Sequence, residues 1–245
     1  MKRTGYPLAI MFILAFASFA PSKSPYKFIR KQGFVYIPSG NYRSAPDAIT
    51  SIQGFYMSSS EITNEQYREY LLDLKSKGKS EELLKATIDK KNWLNAEFPS
   101  GEFAANYDTD PAYDQYPVVN ISQEAAILYC TWLENKFFEE AGIEVQIRLP
   151  FETEWKYAAH GGSENNIYAW QGSYLRNKKG CYLANLKTEN ICEDGGELLV
   201  KTGTYMPNDY GLYNMCGNAA EWISAGGRTK GGSWWSKEDY LKIDG

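Results

Sequence analysis

The chain carries a single histidine, His160, and only four cysteines, at positions 130, 181, 192 and 216. One histidine excludes a metal centre built mainly on imidazole. With neither CxxC nor HxxxH spacing present, Cys181, Cys192 and Cys216 with His160 do not read as a zinc site. Four cysteines are too few to frame a fold of 245 residues, although they suit an oxidising compartment. Cys181 and Cys192 form the one plausible close pair, and the alternative is four buried free thiols. There is no Lys/Arg run, and the formal charge of −4 becomes more negative once Lys2 and Arg3 are removed, so nothing attracts nucleic acid. Internal repeats, heptads and long low-complexity tracts are also missing, which excludes solenoids and coiled coils.

What is present is a chain 43% hydrophobic and 15% aromatic, enough to bury one substantial core. The sequence predicts one domain over residues 27–245, preceded by a signal peptide over residues 1–20. Lys2 and Arg3 make a basic start, Leu8 to Phe19 an apolar stretch, and Ala15, Ala17, Ser18 and Ala20 supply small residues, with cleavage favoured after Ala17. The apolar stretch is short for a bilayer span, which makes an uncleaved anchor the alternative. Without a cysteine near its end, lipid attachment is not expected, and the predicted location is the periplasm or cell envelope, with peripheral membrane association open.

After a polar linker around Pro21 to Pro25, FVYIPSG and IQGFYM read as strands. Thr63 or Asn64 can cap a helix whose Tyr67, Tyr70, Leu71 and Leu74 share a face, and Lys75 to Lys91 reads as a solvated insertion. Ser122 is a good cap for the clearest helix, in which Ala126, Cys130, Leu133 and Phe137 recur at helical spacing. The strand VQIRL leads through Pro150 into a helix holding Trp155, Tyr157 and Ala158, closed by Gly161 and Gly162. Beyond it Gly, Asn, Asp and aromatics dominate, and so much irregular backbone needs turns, buried hydrogen bonds or metals to hold it.

Four stretches occur in a fixed order: FYMSSSEITNEQYREY from Phe55, IRLPFETEWKYAAHGG from Ile147, GLYNMCGNAAEW from Gly211 and KGGSWW from Lys230. Together they resemble the formylglycine-generating (sulfatase-modifying factor) enzyme family. The resemblance implies an α+β fold of the atypical, asymmetric C-type-lectin-like kind, low in regular secondary structure. The stretch NYDTDPAYDQYPVVNIS and the lysine-rich insertion also resemble the domain as carried by envelope lipoproteins of gliding motility and type IX secretion, although the lipid-attachment cysteine is lacking. The family pattern also implies a further stretch, ending near a GFR motif, beyond Gly245.

In the active enzymes two cysteines after the GGS motif hold copper and oxidise a substrate cysteine. Here those positions fall on Ser236 and Leu241, which cannot replace two thiolates as soft ligands. Ser233 of the motif remains as a structural hydrogen-bonding residue. The related non-haem iron centres need several histidines, so neither copper nor iron is expected. His160 stands where the motif usually has arginine, and a helix C-terminus suits either cation.

The oxygen chemistry of calcium is retained. The resemblance places one set of ligands at Asn214 and Glu221 through side chains and at Gly217 and Ala219 through carbonyls. A second set falls at Asn185 and Asp194 through side chains and at Leu186 and Gly196 through carbonyls. Cys181 and Cys192 flank this latter loop, and a disulfide there would staple it. The alternative for Asn214 and Glu221 is that they only cap backbone groups in a tight turn. Arg148, Glu152 and Glu154 are expected to form an ion network, and Trp155, Trp222, Trp234 and Trp235 to be core.

The expected function is that of an exported, non-catalytic, calcium-binding scaffold or interaction component of an envelope assembly with protein partners. The alternative is a copper-dependent oxidase that generates formylglycine on exported sulfatases. A carbohydrate-binding role rests on fold analogy alone.

Overall fold

The computed structural model describes residues 8–9, 13–15, 25–45, 47–95, 101–189, 193–196 and 198–245. In chain order the elements begin with strands β1 (Leu8–Ala9) and β2 (Ile13–Ala15), helix α1 (Pro25–Lys31), strands β3 (Phe34–Ile37), β4 (Gly40–Ala45), β5 (Ala48–Ile52) and β6 (Phe55–Ser58), and helix α2 (Asn64–Ser76). Next come α3 (Ser80–Lys85), α4 (Gly101–Asn106), α5 (Gln123–Ala141), β7 (Gln146–Arg148), α6 (Glu152–Ala159), β8 (Ala220–Trp222) and β9 (Thr229–Lys230). This is the mixed, strand-poor α+β architecture expected, with no closed barrel among the described residues.

A four-stranded antiparallel sheet in the order β3-β6-β2-β7 forms the centre. All four residues of β6 are buried, as befits a strand covered on both faces. A second sheet has the order β1-β8-β9, and β4 pairs with β5 in a hairpin bulged between Arg43 and Ala45. The stretch IQGFYM is therefore two strands: Ile52 closes β5, Gln53 and Gly54 turn the chain, and Phe55 opens β6. Apart from β1 and β2, the segment read as a signal peptide lies outside the described residues.

The two helices read from periodicity form as expected. The Thr63 side chain accepts from the Gln66 N–H while Gln66 reaches back to the Thr63 N–H, a capping box that starts α2. Ser122 Oγ accepts from the Ala125 N–H at 3.0 Å to start α5, which Gly142 ends at φ 65°. Their apolar faces meet through Tyr67, Tyr70 and Tyr129, with Tyr67 stacked on Tyr129 at 5.7 Å between ring centroids. The segment from Lys75 to Lys91 is not simply solvated. Ala86 is fully buried and its carbonyl accepts from the Tyr67 hydroxyl at 2.8 Å.

Arg148 pairs with both oxygens of Glu154 at 2.8 Å, which ties β7 to the first turn of α6. Glu152 instead meets Lys156 at 3.4 Å and Arg228 at 2.9 Å. Gly161 and Gly162 end α6 at φ 61° and 89°. Trp155, Trp222 and Trp234 are core, whereas Trp235 is half-buried beneath the Lys187 ammonium, 3.6 Å from its ring centroid.

Candidate metal centre

Between Gly211 and Ala219 the backbone angles, not strand pairing, set the course of the chain. Gly211, Asn214, Gly217 and Asn218 have φ of 84°, 52°, 90° and 60°. Glycine enters that region freely and asparagine tolerates it. At Gly217 nothing larger fits, because a Cβ would stand 2.2 Å from the Asn185 carbonyl oxygen. That carbonyl accepts from the Asn218 N–H at 2.8 Å, and the Gly217 N–H donates to the Gly231 carbonyl at 2.8 Å. The two predicted calcium loops are thus laid directly on one another and on the KGG turn.

Glu221, in the middle of β8, is 0% exposed. Its Oε2 accepts from the Trp155 indole N–H at 2.5 Å, and its Oε1 has no hydrogen-bond partner among the described residues. Lys230 faces Glu221 in the strand register, yet its ammonium donates to the Gly245 carbonyl at 2.6 Å. A second carboxylate, Glu61, is 1% exposed and close enough for its charge to act on Glu221. Burial first, and then the neighbouring Glu61, holds Glu221 well above the usual carboxylate range. Burial likewise pushes Glu61 up to about 8, against the hydrogen bonds it accepts from Asn218 and Asn214. Among the described residues, no cationic side chain is one of the groups acting on either carboxylate. A buried carboxylate oxygen without a partner is costly unless a proton or a cation meets it.

In the other loop, Asp194 accepts from the Leu186 N–H at 2.8 Å and the Gly196 N–H at 3.1 Å. Burial nonetheless holds its pKa above the ordinary value. Asn185 donates from Nδ2 to the Leu198 carbonyl at 2.7 Å and to Asn218 Oδ1 at 3.1 Å, which leaves its own oxygen beside Gly196. Leu186 is buried at the same bend. Cys181 is exposed, and Cys192, its expected partner, lies outside the described residues.

The donors gathered here are carboxylate, amide and backbone oxygens. Among the described residues no group of three or more His, Cys, Asp or Glu side chains is placed to hold a metal. A hard cation that accepts amide and carbonyl oxygen fits such a set, and calcium is the one with the looser geometry these loops offer. One ion would be held by the side chains of Asn214 and Glu221 with the carbonyls of Gly217 and Ala219, and a second by the side chains of Asn185 and Asp194 with the carbonyls of Leu186 and Gly196.

Sequence reasoning missed three participants: Glu61, Asn218 and Thr202. Asn218 links the two loops, since its Nδ2 donates to Glu61 at 2.9 Å and its Oδ1 accepts from Asn185. Its position between two assigned carbonyl ligands was the available signal.

The copper positions are filled differently. Ser236 Oγ accepts from the Ser233 N–H at 2.9 Å and lies 3.1 Å from Ser233 Oγ, a closed turn with both side chains buried. Leu241 is fully buried in the apolar cluster that also holds Trp155 and Ile243. Cys216 is buried, accepts from the Ala169 N–H at 3.3 Å, and has its thiol pushed up to about 12 by burial. Burial also holds the Cys130 thiol well above its ordinary value. Neither is a ready thiolate. His160 ends α6 with Nε2 3.8 Å from Asp244, and its Nδ1 is buried without a hydrogen-bond partner among the described residues.

Residues 20–243 match the family model described as the sulfatase-modifying factor enzyme 1-like domain. The formylglycine-generating enzyme of Bos taurus is 29% identical over 223 residues, covering 78% of this chain and 52% of its own. The inactive C-alpha-formylglycine-generating enzyme 2 of Bos taurus is 31% identical over 112 residues, 45% of this chain and 33% of its own. The chain thus spans about half the length of the first of these relatives and a third of the second. Among solved structures, CarF superposes with a TM-score of 0.57 at 19% identity, over 86% of this chain and 90% of its own. PvdO from Pseudomonas aeruginosa gives 0.50 at 19% identity, over 84% and 77%. Those two show the fold, and the family match runs through every loop described above, so this chain belongs to the sulfatase-modifying factor family.

Proposed function

We propose that this chain is an exported, calcium-holding, non-catalytic sulfatase-modifying-factor-like domain that serves as a scaffold or interaction component of a bacterial envelope assembly. The observation that carries the calcium part is Glu221 Oε1, a fully buried carboxylate oxygen with no hydrogen-bond partner among the described residues, beside a second buried carboxylate. A calcium ion at that oxygen would neutralise the pair, and the amide and carbonyl oxygens of the same loop complete a hard donor set. Support for a non-catalytic role comes from Ser236 and Leu241, which give copper no thiolate, and from the burial of Cys130 and Cys216. The envelope assignment rests on the signal-like N-terminus and on the resemblance to gliding-motility and type IX secretion components. Among the described residues, no helix is long and apolar enough to cross a membrane.

The test is elemental analysis of the purified protein together with calorimetric melting in calcium and in chelator. Bound calcium and a melting temperature lowered by chelator are expected, because a ligand held only by the folded state stabilises it by mass action. Protein free of calcium with an unchanged melting curve would sink the calcium part. Incubation with copper, reductant and a cysteine-containing sulfatase peptide should leave the cysteine unmodified. Copper-dependent aldehyde on that peptide would make the chain an oxidase.

A further inference from the structure

Glu61 lies in the turn between β6 and α2, and three backbone hydrogen bonds fix that turn. Tyr213 N–H donates to the Ser59 carbonyl at 2.8 Å, Val118 N–H to the Ile62 carbonyl at 2.8 Å, and Asn64 N–H to the Tyr116 carbonyl at 2.9 Å. From this held backbone the carboxylate takes one asparagine on each oxygen. Its Oε2 accepts from Asn214 Nδ2 at 3.1 Å and its Oε1 from Asn218 Nδ2 at 2.9 Å.

An amide has two N–H donors on one side and an acceptor oxygen on the other, so committing both donors decides where the oxygen points. The second Asn214 donor goes to the Thr202 carbonyl at 3.0 Å, which turns its Oδ1 away from Glu61. The second Asn218 donor goes to the Val200 carbonyl at 3.2 Å. Asn218 Oδ1 then accepts from the Val200 N–H at 2.9 Å and from Asn185 Nδ2 at 3.1 Å. That last bond, with the one from Asn185 to Leu198, leaves Asn185 Oδ1 against Gly196. Asn214 and Asn185 are the amide ligands of the two candidate calcium loops.

We propose that Glu61 is a positioning residue for both calcium loops, fixing through Asn214 directly and through Asn218 indirectly which way the two ligand amides face. The inference rests on the calcium reading above and adds to it that one buried carboxylate, touching neither ion, governs both sites. Glutamine at position 61 would present an N–H donor to one of the two asparagines, and that amide would have to turn over.

The experiment is calorimetric titration of calcium into the full chain, with Asp194→Asn used to isolate the Glu221 loop and Glu221→Gln to isolate the Asp194 loop. Glu61→Gln should weaken calcium binding by about tenfold or more in at least one loop, the loss usual for an outer-shell partner. Asn218→Gly accepts the positive φ without strain. It should weaken the Asp194 loop, which loses the bond that orients Asn185, by about tenfold and the Glu221 loop by less, an unequal loss that general destabilisation would not produce. If Glu61→Gln does not fold, the Asn218→Gly pattern decides alone. Wild-type protein that binds calcium while both variants match it in both loops overturns this inference only. Wild-type protein that binds no calcium overturns the calcium reading and this inference together.

Discussion

Ser236 and Leu241 show how the segment after the GGS motif is settled at the level of single side chains. Ser236 accepts from Ser233 and closes a turn, and Leu241 completes an apolar cluster. Both were legible in the sequence because they sit at fixed distances from the GGS motif. Glu61 was not, because its two partners lie 153 and 157 residues away and no local pattern announces such a contact. His160 supports a prediction at this scale. Burial holds its pKa below the ordinary 6.5, with Asp244, the Ser163 backbone and Glu164 opposing and Lys156 assisting, and the Tyr42 ring lies tilted beside it. The unfolded chain therefore takes up a proton near pH 6.5 that the folded chain resists, so stability is full above that pH and is lost as the pH falls below it. Chemical denaturation between pH 7.5 and 5, taken as roughly the range in which histidine titrates, should show this decline, and His160→Gln should flatten it. An unchanged slope in the variant would assign the decline to other groups.

At the scale of elements, the helices were readable where a cap and a 3.6-residue period coincide, as at Thr63 and Ser122. Replacing Thr63 with alanine removes an acceptor for the Gln66 N–H and should cost about 1 kcal/mol, seen as a lower denaturation midpoint with an unchanged slope. A loss near zero would mean that the bond from Asn64 N–H to the Tyr116 carbonyl already holds the helix start. The lysine-rich segment from Lys75 to Lys91 is largely exposed, as its composition implies, with Ala86 its buried residue and α3 too short to show a period. The aromatic residues that follow it build a third core cluster in which Trp93, Tyr107 and Trp234 pack together, so this later stretch covers the segment after the KGG turn.

At the scale of the whole molecule, fold and family were legible because the motifs are themselves the places where the backbone has little freedom. Gly217 against Asn185 and Gly231 against Met215 admit no side chain, and Asn214 and Asn218 sit at positive φ. A sequence that keeps those residues in order keeps the path of the chain. The strand pairing was less legible, since Ile13–Ala15 takes a central place in the sheet from a segment whose composition reads as a targeting signal. One contact described above has an optical consequence. Trp155 is fully buried and donates its indole N–H to the same Glu221 carboxylate that a calcium ion would engage. A divalent charge arriving at that carboxylate changes the field across the ring, so the emission of one tryptophan should shift as calcium is titrated in. Trp155→Phe should abolish most of that shift while calorimetry still records calcium binding. A shift that survives in the variant would place the reporting ring elsewhere. With Trp155 intact, a calcium-holding protein would be its own indicator, readable at low concentration without a dye.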